Sequence, residues 1–121
     1  MSRTARAGRS AEARASRHLQ RAGLTLRHEN YRCRAGELDL VMETPGGEIV
    51  FVEVRYRSRE DYGGALASVD ARKQQRLIRA ARLYLAAQRL DERPARFDVV
   101  AVDGYDRIRW VEAAFDASAP G

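Results

Sequence analysis

Glu37, Asp39, Glu53 and Arg55 stand inside two stretches, GELDLVME and IVFVEVRYR, whose apolar residues otherwise alternate as in strands. Between the stretches lies TPGGE, a turn signal, so the segment reads as a hairpin. Its apolar rows, Leu38, Leu40 and Met42 against Val50, Val52 and Val54, match when Leu40 faces Val52 and residues 44–48 form the loop. That register sets Asp39 opposite Glu53, and a slip of one residue would expose an apolar row. Facing Cβ atoms lie about 4.5–5.5 Å apart, and two charges about 5 Å apart at an effective dielectric of 20 repel by about 3 kcal/mol. Three escapes exist: one carboxyl takes a proton, an arginine neutralises the pair, or a cation is bound. Two carboxylates facing solvent suit Mg²⁺, which keeps several waters and takes one or two protein carboxylates. A pair neutralised by Arg55 is the structural alternative, and the residues alone leave both open.

The elements that must position these groups follow from periodicity and caps. Ser10 reads as the cap of a helix running to about Ala22 and stopped by Gly23, with Ala15, Leu19 and Ala22 as its apolar stripe and Glu12 in its first turn. A strand over about 24–28 follows, then the hairpin, then a loop with Gly63 and Gly64. Asp70 caps a longer helix running to about Leu90, with Leu77, Ala80, Ala81, Tyr84 and Gln88 on one face and Lys73 in the first turn. RFDVVAV and RIRWVEA, joined by DGYD, read as a closing hairpin. The order is roughly αβββαββ. Phe51 and Ile49 share the carboxylate face, so this strand is expected to be covered by helices on both sides.

At 121 residues the chain reads as one domain, with a flexible basic start over 1–9, a folded unit over 10–116 and a flexible end over 117–121. The lone Cys33 excludes an internal disulfide, and neither a signal-peptide core nor an apolar run of membrane-spanning length is present, which points to the cytoplasm and away from membranes. The Arg- and Ser-rich opening has the look of a transit peptide, but it runs without a break into the first helix. Residues 1–34 hold nine arginines against Glu12 and Glu29, a local charge of +7 that leaves −2 for the rest of a chain whose net charge is +5. Such a segment suits a polyanion, although a basic solvated surface has the same composition. His18 and His28 lack partners at ligand spacing, and no Ser-His-Asp order stands out, so thiolate-metal and covalent-nucleophile chemistry lack support. Asp98 reads as a structural partner of Arg96, and Tyr31, Tyr62 and Trp110 as core residues rather than base-stacking platforms.

GELDL followed by FVEVRYR resembles the acidic core of the PD-(D/E)XK nucleases, and the chain over about 10–116 resembles the YraN family, small bacterial proteins with a Holliday-junction-resolvase-like fold. Glu12, Asn30, YGGA, Lys73, RFDVV and the terminal AF carry the likeness in the same order. It implies a restriction-endonuclease-like α/β fold, a mixed sheet flanked by helices. It implies Asp39 and Glu53 as ligands of Mg²⁺ or Mn²⁺, assisted by the Val54 carbonyl, Glu12 as a further acid, Arg55 in the place of the superfamily lysine, and Glu37 as a group that orients water or carries a second ion. Arginine cannot act as a general base, but its fork can stabilise phosphate charge, and Lys73 adds a second cation at a helix N-terminus. The implied activity is endonucleolytic hydrolysis of DNA, including branched DNA. Arg14, Arg17, Arg57 and Lys73 would contact nucleic acid, and a homodimer would place two sites on a junction. A nucleic-acid-binding module of the same fold that cuts little or not at all is the alternative.

Overall fold

The turn at 44–48 closes the hairpin in the register the apolar rows require: β2 (Gly36–Glu43) pairs antiparallel with β3 (Ile49–Arg57), Leu40 facing Val52 and Met42 facing Val50. The computed structural model describes residues 3–57, 62–105 and 107–117. Before the hairpin come α1 (Arg3–Arg21) and β1 (Thr25–Cys33); after it come α2 (Tyr62–Ala67), α3 (Ala71–Ala87), β4 (Ala95–Asp103) and β5 (Ile108–Phe115). The strands form one mixed sheet in the order β1-β2-β3-β4-β5, parallel only between β3 and β4, whose connection contains α2 and α3. Among the described residues no helix is long and apolar enough to cross a membrane.

Helix α1 covers one face of the sheet. Ala11, Ala15 and Leu19 recur every four residues and bury against Leu40, Met42, Val50, Val52, Val100 and Val102. Gly23 ends the helix with φ 104°: its N–H reaches the Gln20 carbonyl at 3.0 Å and that of Leu24 reaches Leu19 at 3.1 Å, a Schellman closure that a side chain at Gly23 would strain. The stripe sits one turn earlier than expected, since Ala22 is exposed. The helix also starts at Arg3, so Ser10 is an interior helical residue rather than the cap, and the segment expected to be flexible over 1–9 contributes helix from Arg3 onward. Alanine and arginine are strong helix formers, and nothing in RTARAGR apart from its glycine opposes extension.

Helix α3 covers the other face. The Asp70 carboxylate accepts the Lys73 N–H at 2.9 Å as the N-cap, and Leu77, Ile78, Ala80, Ala81 and Tyr84 bury against Val41, Ile49, Phe51 and Val99. It ends at Ala87, three residues short of Leu90, with Gln88 as C-cap. YGGALA, read as part of a loop, is helical in spite of its two glycines, and buried Ala65 and Val69 supply its packing. Residues 49–53 are buried throughout, as a central strand covered on both sides must be.

Besides the register shift between Phe97 and Val99 on β4, two irregularities in the β1–β2 pair depart from simple alternation. A bulge between Leu26 and His28 sends Arg27 and His28 to the same buried hydroxyl of Tyr84, at 3.2 and 2.8 Å. The second lies at the pair Asn30 and Asp39. Leu38 packs in the α3-side cluster, not with Leu40 on the α1 side, and Asn30, which falls opposite Asp39, has a left-handed φ of 53°. The expected row of Leu38, Leu40 and Met42 is thus broken at its first member.

Asp98 is structural, as read from the sequence: fully buried, it accepts from Arg96 Nε at 3.1 Å, Trp110 Nε1 at 2.8 Å and the Ala113 N–H at 2.9 Å. Arg96 also reaches Glu48 and Glu112, each at 3.0 Å, and so ties the β2–β3 turn to β5. Tyr31 packs edge-on against Tyr84 in the core, while the Tyr62 side chain lies outside the described residues, as do residues 118–121.

Candidate functional site

The β2–β3 ladder runs from Glu43–Ile49 to Leu40–Val52 and stops there. Beyond that point β2 continues against β1, Tyr31 facing Leu38, and β3 continues against β4, Val54 facing Val100. The two strands part where the register would set Asp39 against Glu53. In place of the missing ladder bond, Asp39 Oδ2 accepts the Val54 N–H at 2.9 Å. Direct facing of two carboxylates is thereby exchanged for an open fork with both acids at its apex, an outcome the sheet repulsion favours.

Glu53 is buried, at 4% exposure, with Arg55 Nη2 3.1 Å and Lys73 Nζ 3.3 Å from its Oε2. That oxygen nevertheless has no hydrogen bond of acceptable geometry, and neither does the buried Nε of Arg55. Such orphaned atoms in a native interior call for a physical explanation, and a missing ion or ligand is one. Burial, followed by a side-chain hydrogen bond and repulsion from Glu53, pushes the Asp39 carboxyl up to about 9; the Val54 N–H acts in the opposite direction and the charge of Glu12 adds to the rise. The raised Asp39 carboxyl favours a proton shared within the pair, while Arg55 and Lys73 face Glu53. The arrangement uses two of the three escapes from carboxylate repulsion at once.

Glu12 reaches the same fork from α1. Its carboxyl is raised by burial and then by Glu37, Glu29 and Glu53, against a lowering hydrogen bond from Asn30. The Asn30 amide nitrogen, oriented to satisfy both carboxylates, donates at 2.9 Å to Glu12 and at 2.9 Å to Glu37. Asn30 is the residue whose role sequence reasoning missed, although it stood among those that carry the resemblance. The only local signal was an asparagine, tolerant of left-handed backbone, just before a hairpin. Glu37 is held by this amide and lies 3.5 Å from Arg32 Nε.

The fold brings together Glu12, Asp39, Glu53, Arg55 and Lys73. It places Arg14 and Arg17 elsewhere, in a groove lined also by His18, Arg21 and Ile108 between α1 and β5. Arg57, at the end of β3, donates to its neighbour's carbonyl, Tyr56 O, at 3.1 Å. For a metal, the donor set fits a hard cation. Among the described residues no group of three His, Cys, Asp or Glu is arranged to hold a metal ion, but Asp39 and the buried Glu53, with its orphaned oxygen, meet the one-or-two-carboxylate demand of Mg²⁺.

Residues 11–102 match the family model described as "Uncharacterised protein family UPF0102". The chain is 52% identical to a UPF0102 protein of Pseudomonas fluorescens over 115 residues, covering 91% of this chain and 93% of the relative. It is 53% identical over 120 residues to UPF0102 protein RALTA_A3032 of Cupriavidus taiwanensis, covering 99% and 89%. It is 51% identical over 121 residues to a UPF0102 protein of Stutzerimonas stutzeri, covering 97% and 100%. Similarity of this extent, spanning both the fork and the helices that flank it, makes the chain a member of UPF0102, which is the YraN family.

Proposed function

We propose that this protein is a metal-dependent endonuclease of the PD-(D/E)XK type that hydrolyses phosphodiester bonds in DNA, branched DNA included. What carries the reading is the Asp39–Glu53 fork: two acids at the parting of two strands, one with its carboxyl pushed up by burial, the other buried with an unbonded oxygen between two cations. Asp39 and Glu53, with the Val54 carbonyl, would hold Mg²⁺ or Mn²⁺. Bound there, the ion supplies Lewis-acid chemistry and a water of lowered pKa. Arg55 stays protonated, so its part is to stabilise charge on the phosphate through its fixed fork. Lys73, in the first turn of α3, adds a point charge on the same side. Glu12, held by Asn30 together with Glu37, is a further acid placed to orient water.

The test is incubation of the purified full chain with Mg²⁺ or Mn²⁺ and linear, nicked, single-stranded and four-way-junction DNA. Ion-dependent cutting is the expected result. Binding without cutting under every ion would make the protein a binding module, and neither would end the nucleic-acid reading.

Arg55→Gln is expected to lower the cleavage rate by roughly 10²-fold with metal and DNA binding retained, while Arg55→Lys keeps much of the rate. If Arg55 merely neutralises Glu53, Arg55→Gln instead loses melting temperature, and Mg²⁺ restores it together with activity. Melting curves with and without Mg²⁺, set beside cleavage rates, separate the two roles.

A further inference from the structure

Helix α3 carries Arg72, Lys73, Arg76, Arg79 and Arg82 and no acidic residue. Lys73 turns to Glu53; the four arginines are exposed and follow one another at spacings of four, three and three, along the face opposite buried Leu77, Ala81 and Tyr84. Among the described residues none of the four side chains has an ion pair or a hydrogen bond. In the sheet and its loops, by contrast, Arg27, Arg32, Arg93 and Arg96 each reach a carboxylate. Arg34, at the β1–β2 turn, borders a concave surface shared with Arg79 and Arg82, whose floor is Ala35 and Leu83. A second hollow on the other side of Arg79 and Arg82 is bordered by Gln75 and Ile78.

This row acts against the helix that bears it. Like charges three and four residues apart destabilise a helix, and cations in the first turn oppose its dipole. We propose that the arginine row of α3 is a docking surface for the phosphate backbone of duplex nucleic acid, separate from the α1 groove and from the cleft itself. The rise from Arg72 to Arg82 is about 15 Å, the span of about four phosphates along one strand. The row begins beside Lys73, so a duplex lying on it leads to the Asp39–Glu53 fork. Helices α1 and α3 cover opposite faces of the sheet, so the α1 groove and this row are independent surfaces. The proposal rests on the nucleic-acid part of the proposed function and not on cleavage.

Binding of a labelled duplex to the full chain, in a chelator and over a range of salt, tests it. The triple variant Arg76→Gln, Arg79→Gln, Arg82→Gln keeps helix-forming side chains of similar length. Its slope of log affinity against log salt should be shallower than wild type by about 2.7, or about 0.9 for each phosphate left without its arginine. The corresponding triple lysine variant should keep the wild-type slope. Arg89→Gln with Arg109→Gln, which removes two exposed arginines elsewhere, should leave it unchanged. An unaltered slope in the triple glutamine variant overturns the proposal, and so does an equal loss per residue in the Arg89 and Arg109 control. Salt-dependent binding through the row without metal-dependent cutting would support it while removing the catalytic reading. Absence of duplex binding in the wild type would overturn both.

Discussion

Glu53→Gln is expected to abolish metal-dependent cleavage, by about 10³-fold or more, with the fold retained. The site's charge stabilisation runs through this carboxylate, and loss of several kcal/mol of it corresponds to three orders of magnitude in rate. Glutamine preserves the volume of a side chain that is only 4% exposed and removes its charge. Glu53→Ala should cost activity equally and stability more, because it leaves a cavity and strands the Arg55 and Lys73 cations that now lie 3.1 and 3.3 Å from Glu53 Oε2. Since those cations are 23% and 31% exposed, solvent takes up part of that penalty. Cleavage rates with Mn²⁺ beside thermal melts decide the matter: a Glu53→Gln protein that cuts at the wild-type rate would remove the fork from the chemistry.

Asp39→Asn is expected to remove divalent-ion binding and at the same time to stabilise the metal-free protein at alkaline pH. The Asp39 carboxyl, held near 9 in the folded chain, has an ordinary value of 3.8. Folding therefore takes up a proton between these values. The stability contributed by the protonated form is fully present below the unfolded value and is lost as pH rises through about 9, at up to about 1.4 kcal/mol per unit. An asparagine keeps the oxygen that accepts from Val54 and offers Glu53 an N–H in place of the shared proton, so its stability should be flat over that window. Wild type should melt below Asp39→Asn at pH 8, with the gap closing toward pH 5. Ion binding needs the ionised carboxylate, so wild-type affinity for Mn²⁺ should rise with pH, up to tenfold per unit below about 9, with a proton released. Calorimetry in two buffers of different ionisation enthalpy measures that proton. Equal Mn²⁺ binding by both proteins, or identical pH–melting profiles, would take Asp39 out of the site.

Several features were legible in the residues themselves. The hairpin register followed from two apolar rows and a turn, because side chains alternate with a period of two and a slip exposes an entire row. The Asp70 cap, the Gly23 stop and the burial of 49–53 were local or periodic signals of the same kind, and Asp98 was read as structural because it interrupts a strand beside Arg96. Proximity of Asp39 to Glu53 was therefore determined by sequence. Its form was not: facing carboxylates became a fork because β1 and β4 draw the two strands apart, and only a five-stranded sheet supplies those competing neighbours. Two helical boundaries, the start of α1 and the end of α3, were also misplaced, and one short helix was read as loop. Ser10 looked like a cap, yet Ala- and Arg-rich sequence before it extends the helix, and YGGALA became helical through tertiary burial that its glycines alone oppose. The meeting of Glu12 with Asn30 and Glu37, and of Lys73 with Glu53, depends on how α1 and α3 cross opposite faces of the sheet. These interactions join residues far apart in the chain, and no pattern of short period encodes them. Packing geometry alone decides that acids from α1, β2 and β3 and cations from β3 and α3 come together at one fork.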